Sequence, residues 1–151
     1  MTADGSCHKQ VRIQVRRRWG LVDEGLADLL KATWVLGIET MSSCQDAGES
    51  LADLPVEYPH MAAYVEAERG WAYIDFLPFY GIGPFMDAIR AARPTDEMWR
   101  RMSHWTTKDA WQKRLHLHPI DDHFQPFGAQ LLFPVYDIPE MVRCLQTSDQ
   151  S

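Results

Sequence analysis

Side chains that can bind or react with small molecules are concentrated in one short segment, TMSSCQDAGES at residues 40–50. The segment holds hydroxyl, thiol, amide and carboxylate groups, which together can hydrogen-bond a small polar ligand. The sequence pattern predicts a short strand that ends near Cys44, and ligands bind beyond the carboxyl ends of strands in open α/β sheets. We therefore predict that this segment forms the rim of a polar pocket.

Two other interpretations of the same segment are open. Cys44 is a candidate catalytic nucleophile, but Asp46 and Glu49 lie close to it in the sequence and would raise the pKa of the thiol rather than lower it. Alternatively, Ser42 and Cys44 are small residues buried on one side of a strand, and the rest of the segment is a solvated loop.

Asp75 lies inside WAYIDFL, residues 71–77, which is the strongest strand pattern in the chain. A carboxylate within such a strand must be hydrogen-bonded, exposed at an edge or part of a site. If this strand lies beside the one that ends near Cys44, Asp75 meets the polar segment. The predicted ligand-binding residues are therefore Ser42, Ser43, Cys44, Gln45, Asp46 and Asp75.

A second candidate site is the segment RLHLHPIDDH, residues 114–123. In a strand, His116 and His118 point to the same face, and two imidazoles at this spacing can bind one metal ion. Arg114 shares that face and would repel a cation, so contacts with an anion or a purely solvated polar face are the alternatives. Further metal ligands in this segment would be Asp121, Asp122 or His123.

Aromatic residues are numerous, and three tryptophans could share a surface. The pattern predicts a strand over residues 98–105, on which Trp99 and Trp105 face the same side. Together with Trp111 they would form a stacking platform or an oligomer interface, whereas packing in the core is the alternative.

The elements that must position these groups follow from hydrophobic periodicity. The predicted order is a strand over 11–17, a helix from 23 to about 36, a strand over 38–44, a helix over 59–70, a strand over 71–77, a helix over 85–93, strands over 98–105, 111–118 and 129–136, and a final helix. The strands over 98–105 and 111–118 are predicted to pair as a hairpin. Asp137 and Glu140 have the spacing of a capping box at the start of the final helix.

The alternation of strands and helices in the first half and the run of strands in the second predict an α+β fold. We expect one mixed β-sheet with helices packed mainly on one face. The length of 151 residues indicates a single domain over 1–151, with flexible ends at about 1–8 and 147–151.

Charge and cysteine usage narrow the function classes. The net charge of −6 argues against a general nucleic-acid binder. Ten acids and only one basic residue, Lys31, lie in residues 19–68, which predicts an acidic face. Three widely spaced cysteines, an N-terminus without an apolar stretch and the absence of long apolar runs predict a cytoplasmic protein without a membrane partner.

The segment from Gly37 to Gln45 resembles a helix-to-strand module, G-x-x-T-x-x-S-C-Q, of small bacterial and phage proteins of unknown function. The matching residues are Gly37, Thr40, Ser43, Cys44 and Gln45. The C-terminal LLFPVYDIPEMVRCL is similar to the strand and helix that end such proteins. The resemblance covers about a third of the chain and implies a small α+β protein, but no activity. Ser42, Ser43 and Cys44 give a weaker likeness to the wybutosine-tRNA methyltransferase family, whose motif contains S-x-S-S-C followed shortly by glycine. Thr40 stands in place of the first serine and Gly48 lies too far along the chain, so that function is not inferred.

Three function classes follow from these observations. We favour a protein that binds a small polar molecule or a protein partner through the pocket around residues 42–46, because no complete catalytic set is present in the sequence. The first alternative is a small enzyme that uses Cys44 or a metal held by His116 and His118. The second is a regulatory or phage-related inhibitor that acts through the acidic face. An oligomer formed through the aromatic surface is compatible with each class.

Overall fold

The computed structural model describes residues 7–150, which form one α+β domain. The strands are β1 (Gln10–Val15), β2 (Arg18–Asp23), β3 (Ser43–Cys44), β4 (Trp71–Phe76), β5 (Gln112–Ile120) and β6 (His123–Pro134). The helices are α1 (Ala27–Val35), α2 (Ala47–Ser50), α3 (Leu54–Glu57), α4 (Ala62–Ala67), α5 (Ile82–Ala91), α6 (Asp96–Ser103) and α7 (Ile138–Asp149). The predicted fold class is confirmed.

The strands form two antiparallel sheets rather than the one mixed sheet that the sequence predicts. Strands β1 and β2 form a hairpin, and the other strands form a sheet in the order β3-β4-β6-β5. Each neighbouring pair in both sheets is antiparallel. The alternating strands and helices of the first half form no parallel strand pairs among residues 7–150, and β1 pairs with β2 instead of entering the larger sheet.

The core lies between the larger sheet and the long helices. Strand β4 directs Ala72, Ile74 and Phe76 towards it, and each of these residues is fully buried. Helices α1, α5 and α7 cover this face of the sheet, with α7 in contact with both of the others. The opposite face, which carries Tyr73 and Asp75, is covered only in part, by the short helices α2 and α4.

Residues 98–103 belong to helix α6 and residues 104–105 to the loop after it, so the predicted strand over 98–105 is wrong. Thr95 caps the helix by accepting a hydrogen bond from the main-chain N–H of Met98 (3.3 Å). Met98 and Met102 are buried one helical turn apart. The even spacing of Trp99 and Trp105 suggested a strand, but the cap and the spacing of the methionines decide for a helix. Strand β5 therefore pairs with β6 and not with residues 98–105.

A buried ion pair joins α6 to the start of α7. Asp137 accepts hydrogen bonds from Arg101 Nε (3.0 Å) and from Trp111 Nε1 (2.8 Å), and its side chain is almost fully buried. Its carboxylate makes no capping hydrogen bond to α7, so the predicted capping box is wrong. The partner residue, Glu140, instead accepts from the main-chain N–H of Thr95 (2.9 Å).

Both ends of the described chain contact the rest of the domain. His8 is 5% exposed, and α7 extends to Asp149. The flexible ends predicted at about 1–8 and 147–151 include residues 1–6 and 151, which lie outside the described residues, and the flexibility of both ends stays a prediction. Among residues 7–150, no helix is both long and apolar enough to cross a bilayer.

Candidate functional site

Two clefts meet at strand β3, where the sequence predicts the rim of a pocket. The polar cleft, of about 330 Å³, lies between β2 and residues 40–43. The thiol cleft, also of about 330 Å³, lies between the N-terminal segment and α2. Residues that line the polar cleft include Arg18, Gly20, Asp23, Thr40, Ser42 and Ser43. Residues that line the thiol cleft include Cys7, His8, Asp23, Ser43, Cys44 and Glu49.

Ser42 and Asp75 meet on the partly covered face of the sheet. The main-chain N–H of Asp75 donates to the carbonyl of Ser42 (2.8 Å), which aligns residue 42 with β4. The Ser42 hydroxyl then donates to Asp75 Oδ2. The expected proximity of Asp75 to the polar segment is therefore present, although the contact by itself is a structural hydrogen bond.

His116 reaches the same carboxylate from the far strand of the sheet. Its Nε2 lies 3.4 Å from Asp75 Oδ1. The ring crosses β6 above Gly128, where an added Cβ would lie 3.3 Å from His116 Cδ2 and 3.3 Å from the carbonyl oxygen of Phe76. Because residue 128 is glycine, there is space above β6 for the His116 ring on β5 to reach the Asp75 carboxylate on β4. We name Ser42, Asp75 and His116 the sheet-face cluster.

Cys44 is buried at the floor of the thiol cleft and is only 5% exposed. Burial raises the pKa of its thiol to about 11, although hydrogen bonds with the Ser50 hydroxyl and the Asp46 carbonyl oppose the shift. A thiol with such a pKa is almost entirely protonated near neutral pH, and the thiolate is the nucleophile. The environment of Cys44 therefore disfavours the nucleophilic role that the sequence left open.

Gln45 and Asp46 hold the loop together behind the clefts. Asp46 caps α2 by accepting from the N–H of Glu49 (3.0 Å), and its other carboxylate oxygen accepts from the N–H of Gly70 (2.9 Å). Gln45 Oε1 accepts from the N–H of Gly25 (2.8 Å). Both side chains position the segment, and neither residue lines the polar cleft or the thiol cleft. Their predicted contact with a ligand stays a prediction.

The wall of the polar cleft is built on a stacked pair from β2 and α1. The guanidinium of Arg18 lies 4.2 Å from the centre of the Trp34 ring. Arg18 donates to the carbonyl of Thr40, and Trp34 Nε1 donates to Thr40 Oγ1 (2.9 Å). Burial lowers the pKa of Arg18, and Glu39 opposes this shift. These contacts fix residue 40, and thereby place residues 42 and 43 at the cleft.

The structure adds two residues that the sequence pattern did not indicate, His8 and Asp23. Both are 5% exposed, and their side chains approach Cys44 from the N-terminal segment and from the end of β2. A helix start was predicted at Asp23, so its place at the end of a hairpin strand was missed. The strand signal in residues 19–22 was hidden because the turn at residues 16–17 has no Asn-Gly or Asp-Gly pair, although Arg16 has a positive φ of 55°.

His116 and His118 do not form a metal site with a third ligand in the described part of the chain. The register of β5 shifts between His116 and Leu117, so the simple alternation that placed both imidazoles together is interrupted. His116 turns to Asp75, and His118 packs edge-on against Phe127.

The tryptophan platform that the sequence left open beside core packing is not formed. Trp111 is 4% exposed and packs on Phe133 in the core, whereas Trp99 and Trp105 belong to α6 and the loop after it. The two are therefore not held on one face of a strand, which the platform requires.

Comparisons of this chain with protein-family models, curated proteins and solved structures find no match. The likeness of residues 37–45 to bacterial and phage proteins therefore stays an expectation from sequence. The interpretation of function rests on the geometry of the clefts.

Proposed function

We propose that this chain binds a small polar molecule in the polar cleft. The observation that carries the proposal is the cleft itself, about 330 Å³ in volume and lined by hydroxyl, carboxylate and guanidinium groups. Small-ligand sites are concave and largely preformed, with a few polar groups that fix the orientation of the ligand. The polar cleft has both features.

The chemistry of the lining indicates the kind of ligand. Ser43 supplies a hydroxyl that both donates and accepts, Ser42, whose proton is donated to Asp75, supplies an acceptor oxygen, and Asp23 supplies a further acceptor. Leu30 and Trp34 supply an apolar surface in the same cleft. A compact ligand with several hydroxyl or amide groups on a small carbon skeleton fits this combination.

Native mass spectrometry of freshly purified, chelator-treated protein tests the proposal. We expect a bound small molecule, or the gain of one when defined panels of amino acids, sugars and nucleosides are added. Gly20→Val places a side chain against Trp34, because an added Cβ at Gly20 lies 3.4 Å from Trp34 Cη2. This variant should lose the bound mass.

Gly83→Val is the matched control, since nothing lies within 4 Å of an added Cβ at Gly83. It should retain the ligand of the wild-type protein. An empty wild-type protein that gains no mass with any panel contradicts the proposal, and so does binding that Gly20→Val leaves unchanged.

A further inference from the structure

We propose that His8, Asp23 and Cys44 bind a zinc ion at the floor of the thiol cleft. We name these three residues the thiol cluster. Their ligand atoms, one imidazole nitrogen, one carboxylate oxygen and one sulfur, all lie within 4.8 Å of one another, and all three residues are buried. The site is separate from the polar-cleft function proposed above, although Asp23 borders both clefts.

The ligand types select the metal. Thiolate and imidazole bind zinc in preference to calcium or magnesium, which take oxygen ligands, and a carboxylate completes many zinc sites. Ligand atoms about 2.0–2.3 Å from a tetrahedral zinc lie roughly 3.3–3.8 Å apart. The three atoms therefore need to approach one another by only about 1 Å, which side-chain rotation supplies.

The charge of Asp23 supports a cation at this place. Buried carboxylates are normally paired with a base or bind a metal. Asp137, which is also buried, is paired with Arg101. Asp23 Oδ2 accepts a hydrogen bond from the main-chain N–H of Gln45 (3.0 Å), and within residues 7–150 it forms no ion pair with a basic side chain.

Three donors converge on one carbonyl oxygen beside the cluster. The Cys44 thiol, the Ser50 hydroxyl and the main-chain N–H of Ser50 each donate to the carbonyl oxygen of Asp46 at 3.2 Å, and His8 Nε2 lies 3.3 Å from the same oxygen. A carbonyl has two lone pairs, so three donors exceed what it accepts. Zinc binding relieves this competition, because the thiol loses its proton to solvent, the sulfur forms a bond to the metal, and His8 binds as the neutral ring.

Side chains around the cluster are placed to orient its ligands. Glu49 Oε2 and Gln45 Nε2 each lie 3.4 Å from His8 Nδ1, and rotation of the exposed Glu49 side chain lets Nδ1–H donate to its carboxylate when Nε2 binds the metal. The N–H of Gln45 holds one oxygen of Asp23 and leaves Oδ1 to turn to the ion. Both arrangements are typical of the outer shell of zinc sites.

Cys7 supplies a fourth ligand. Its exposed sulfur lies 3.3 Å from Ser50 Oγ, and the same hydroxyl contacts Cys44 Sγ. The sulfur of Cys7 thus borders the cluster, and rotation about its side chain brings it to the ion. A set of two thiolates, one imidazole and one carboxylate closes a tetrahedral structural site.

The test is titration of reduced, metal-free protein with Zn²⁺ alone, followed by competition with a chromophoric chelator. We expect one zinc ion per chain. His8→Gln, Asp23→Asn and Cys44→Ser should each weaken binding about 100-fold or more, and Glu49→Gln about 10-fold. Cobalt should bind with a sulfur-to-metal charge-transfer band and the intense visible absorption of four-coordinate Co²⁺, and both should weaken in Cys7→Ser and Cys44→Ser.

Control variants separate this site from zinc binding elsewhere on the chain. Cys144→Ser and His116→Gln should bind zinc as the wild type does, and so should Gly20→Val, which blocks only the polar cleft. Circular dichroism checks that each variant is folded. If Cys44→Ser does not fold, His8→Gln and Cys7→Ser decide, since Cys7 is exposed. Absence of stoichiometric zinc binding, or a Co²⁺ spectrum without a sulfur band, overturns the proposal.

Discussion

The thiol cluster and the sheet-face cluster contain similar residues, but the hydrogen-bond partners of these residues differ. Each contains an aspartate, a histidine and a small residue with an S–H or O–H group. In the sheet-face cluster Asp75 accepts from Ser42 on one oxygen and lies beside His116 Nε2 on the other, so both oxygens have side-chain partners within the sheet. In the thiol cluster Asp23 meets a main-chain N–H, while the histidine and thiol turn to the carbonyl of Asp46.

The difference shows that residue types alone do not distinguish a structural network from a site. A carboxylate with two side-chain partners stabilises the sheet it joins. A buried carboxylate that lies beside an imidazole and a thiol and forms no ion pair with Lys or Arg can bind a cation. Five measurements test this contrast.

The largest expected difference is in the reactivity of the cysteines of the metal-free protein. Burial raises the pKa of Cys44 to about 11, so roughly one molecule in a thousand carries the thiolate at pH 8. We expect iodoacetamide to modify Cys44 at least about 100-fold more slowly than exposed Cys7, measured by peptide mass spectrometry. Cys144, which is buried in α7, is the internal control for slow labelling. Equal rates at Cys7 and Cys44 would restore the nucleophile hypothesis.

The second prediction separates the clusters by zinc-dependent stability. At a zinc concentration about 100 times the dissociation constant, binding to the folded state stabilises it by about 2.7 kcal/mol. For a chain of this length we expect the thermal midpoint to rise by about 5–10 °C in the wild type. His116→Gln should keep this rise, and His8→Gln should lose it. The opposite result would indicate that zinc binds at the sheet-face cluster and not at the thiol cluster.

Closing the gap above Gly128 should affect only the sheet-face cluster. In Gly128→Val the new side chain meets both His116 and the main chain of Phe76. We expect a loss of about 2 kcal/mol in the free energy of unfolding, measured by urea denaturation. Gly83→Val, in open space at the start of α5, is the control. The zinc affinity should not change. If Gly128→Val were as stable as the wild type, the close packing of His116 over residue 128 would not contribute to stability.

Removing the charge of Asp75 should have a smaller effect. Asp75→Asn keeps the shape but weakens the hydrogen bonds with Ser42 and His116, so we expect a loss of about 1 kcal/mol in unfolding free energy. Asp87→Asn, which alters an exposed ion pair with Arg90, should cost less than about 0.5 kcal/mol. If both variants lose the same amount, the network around Asp75 contributes no more than a surface pair.

The last measurement concerns alkaline pH. The pKa of Cys44 is about 11 in the folded protein against an ordinary value of 9.0. The unfolded chain therefore loses its thiol proton first, and stability falls as pH rises from about 9 to about 11. Denaturant titrations of metal-free protein should show a shallower decline in Cys44→Ala. Half-buried Tyr73, with a pKa of about 12, leaves a residual decline at high pH in both proteins. An identical decline between about pH 9 and 11 would contradict the buried thiol.

The sequence was informative where local patterns decide local structure. It predicted the α+β class, the strand that became β4 and the final helix. It also placed Ser42 and Cys44 on one face, in agreement with the pairing of Cys44 with Tyr73 and the alignment of Ser42 with Asp75. Alternation and helical spacing depend on neighbours a few residues away, so they can be recognised without a fold.

Local patterns were misleading where a residue distant in the sequence binds the side chain on which the pattern depends. Asp137 was expected to cap α7, but Arg101 and Trp111, far away in the sequence, take its carboxylate. The spacing of His116 and His118 left a metal site open as one candidate, yet Asp75 and Phe127 engage the two rings separately.

The amino-acid order is enough to locate most of the helical and extended segments and the stretch that is rich in polar groups. It does not reveal that His8, Asp23 and Cys44 meet, because they come from the N-terminal segment, the end of β2 and β3. Strand pairing and burial in the folded chain bring such residues together over separations that no spacing rule covers. The free energy of burying a charge depends on those distant neighbours, and that energy distinguishes the candidate metal site from the structural network.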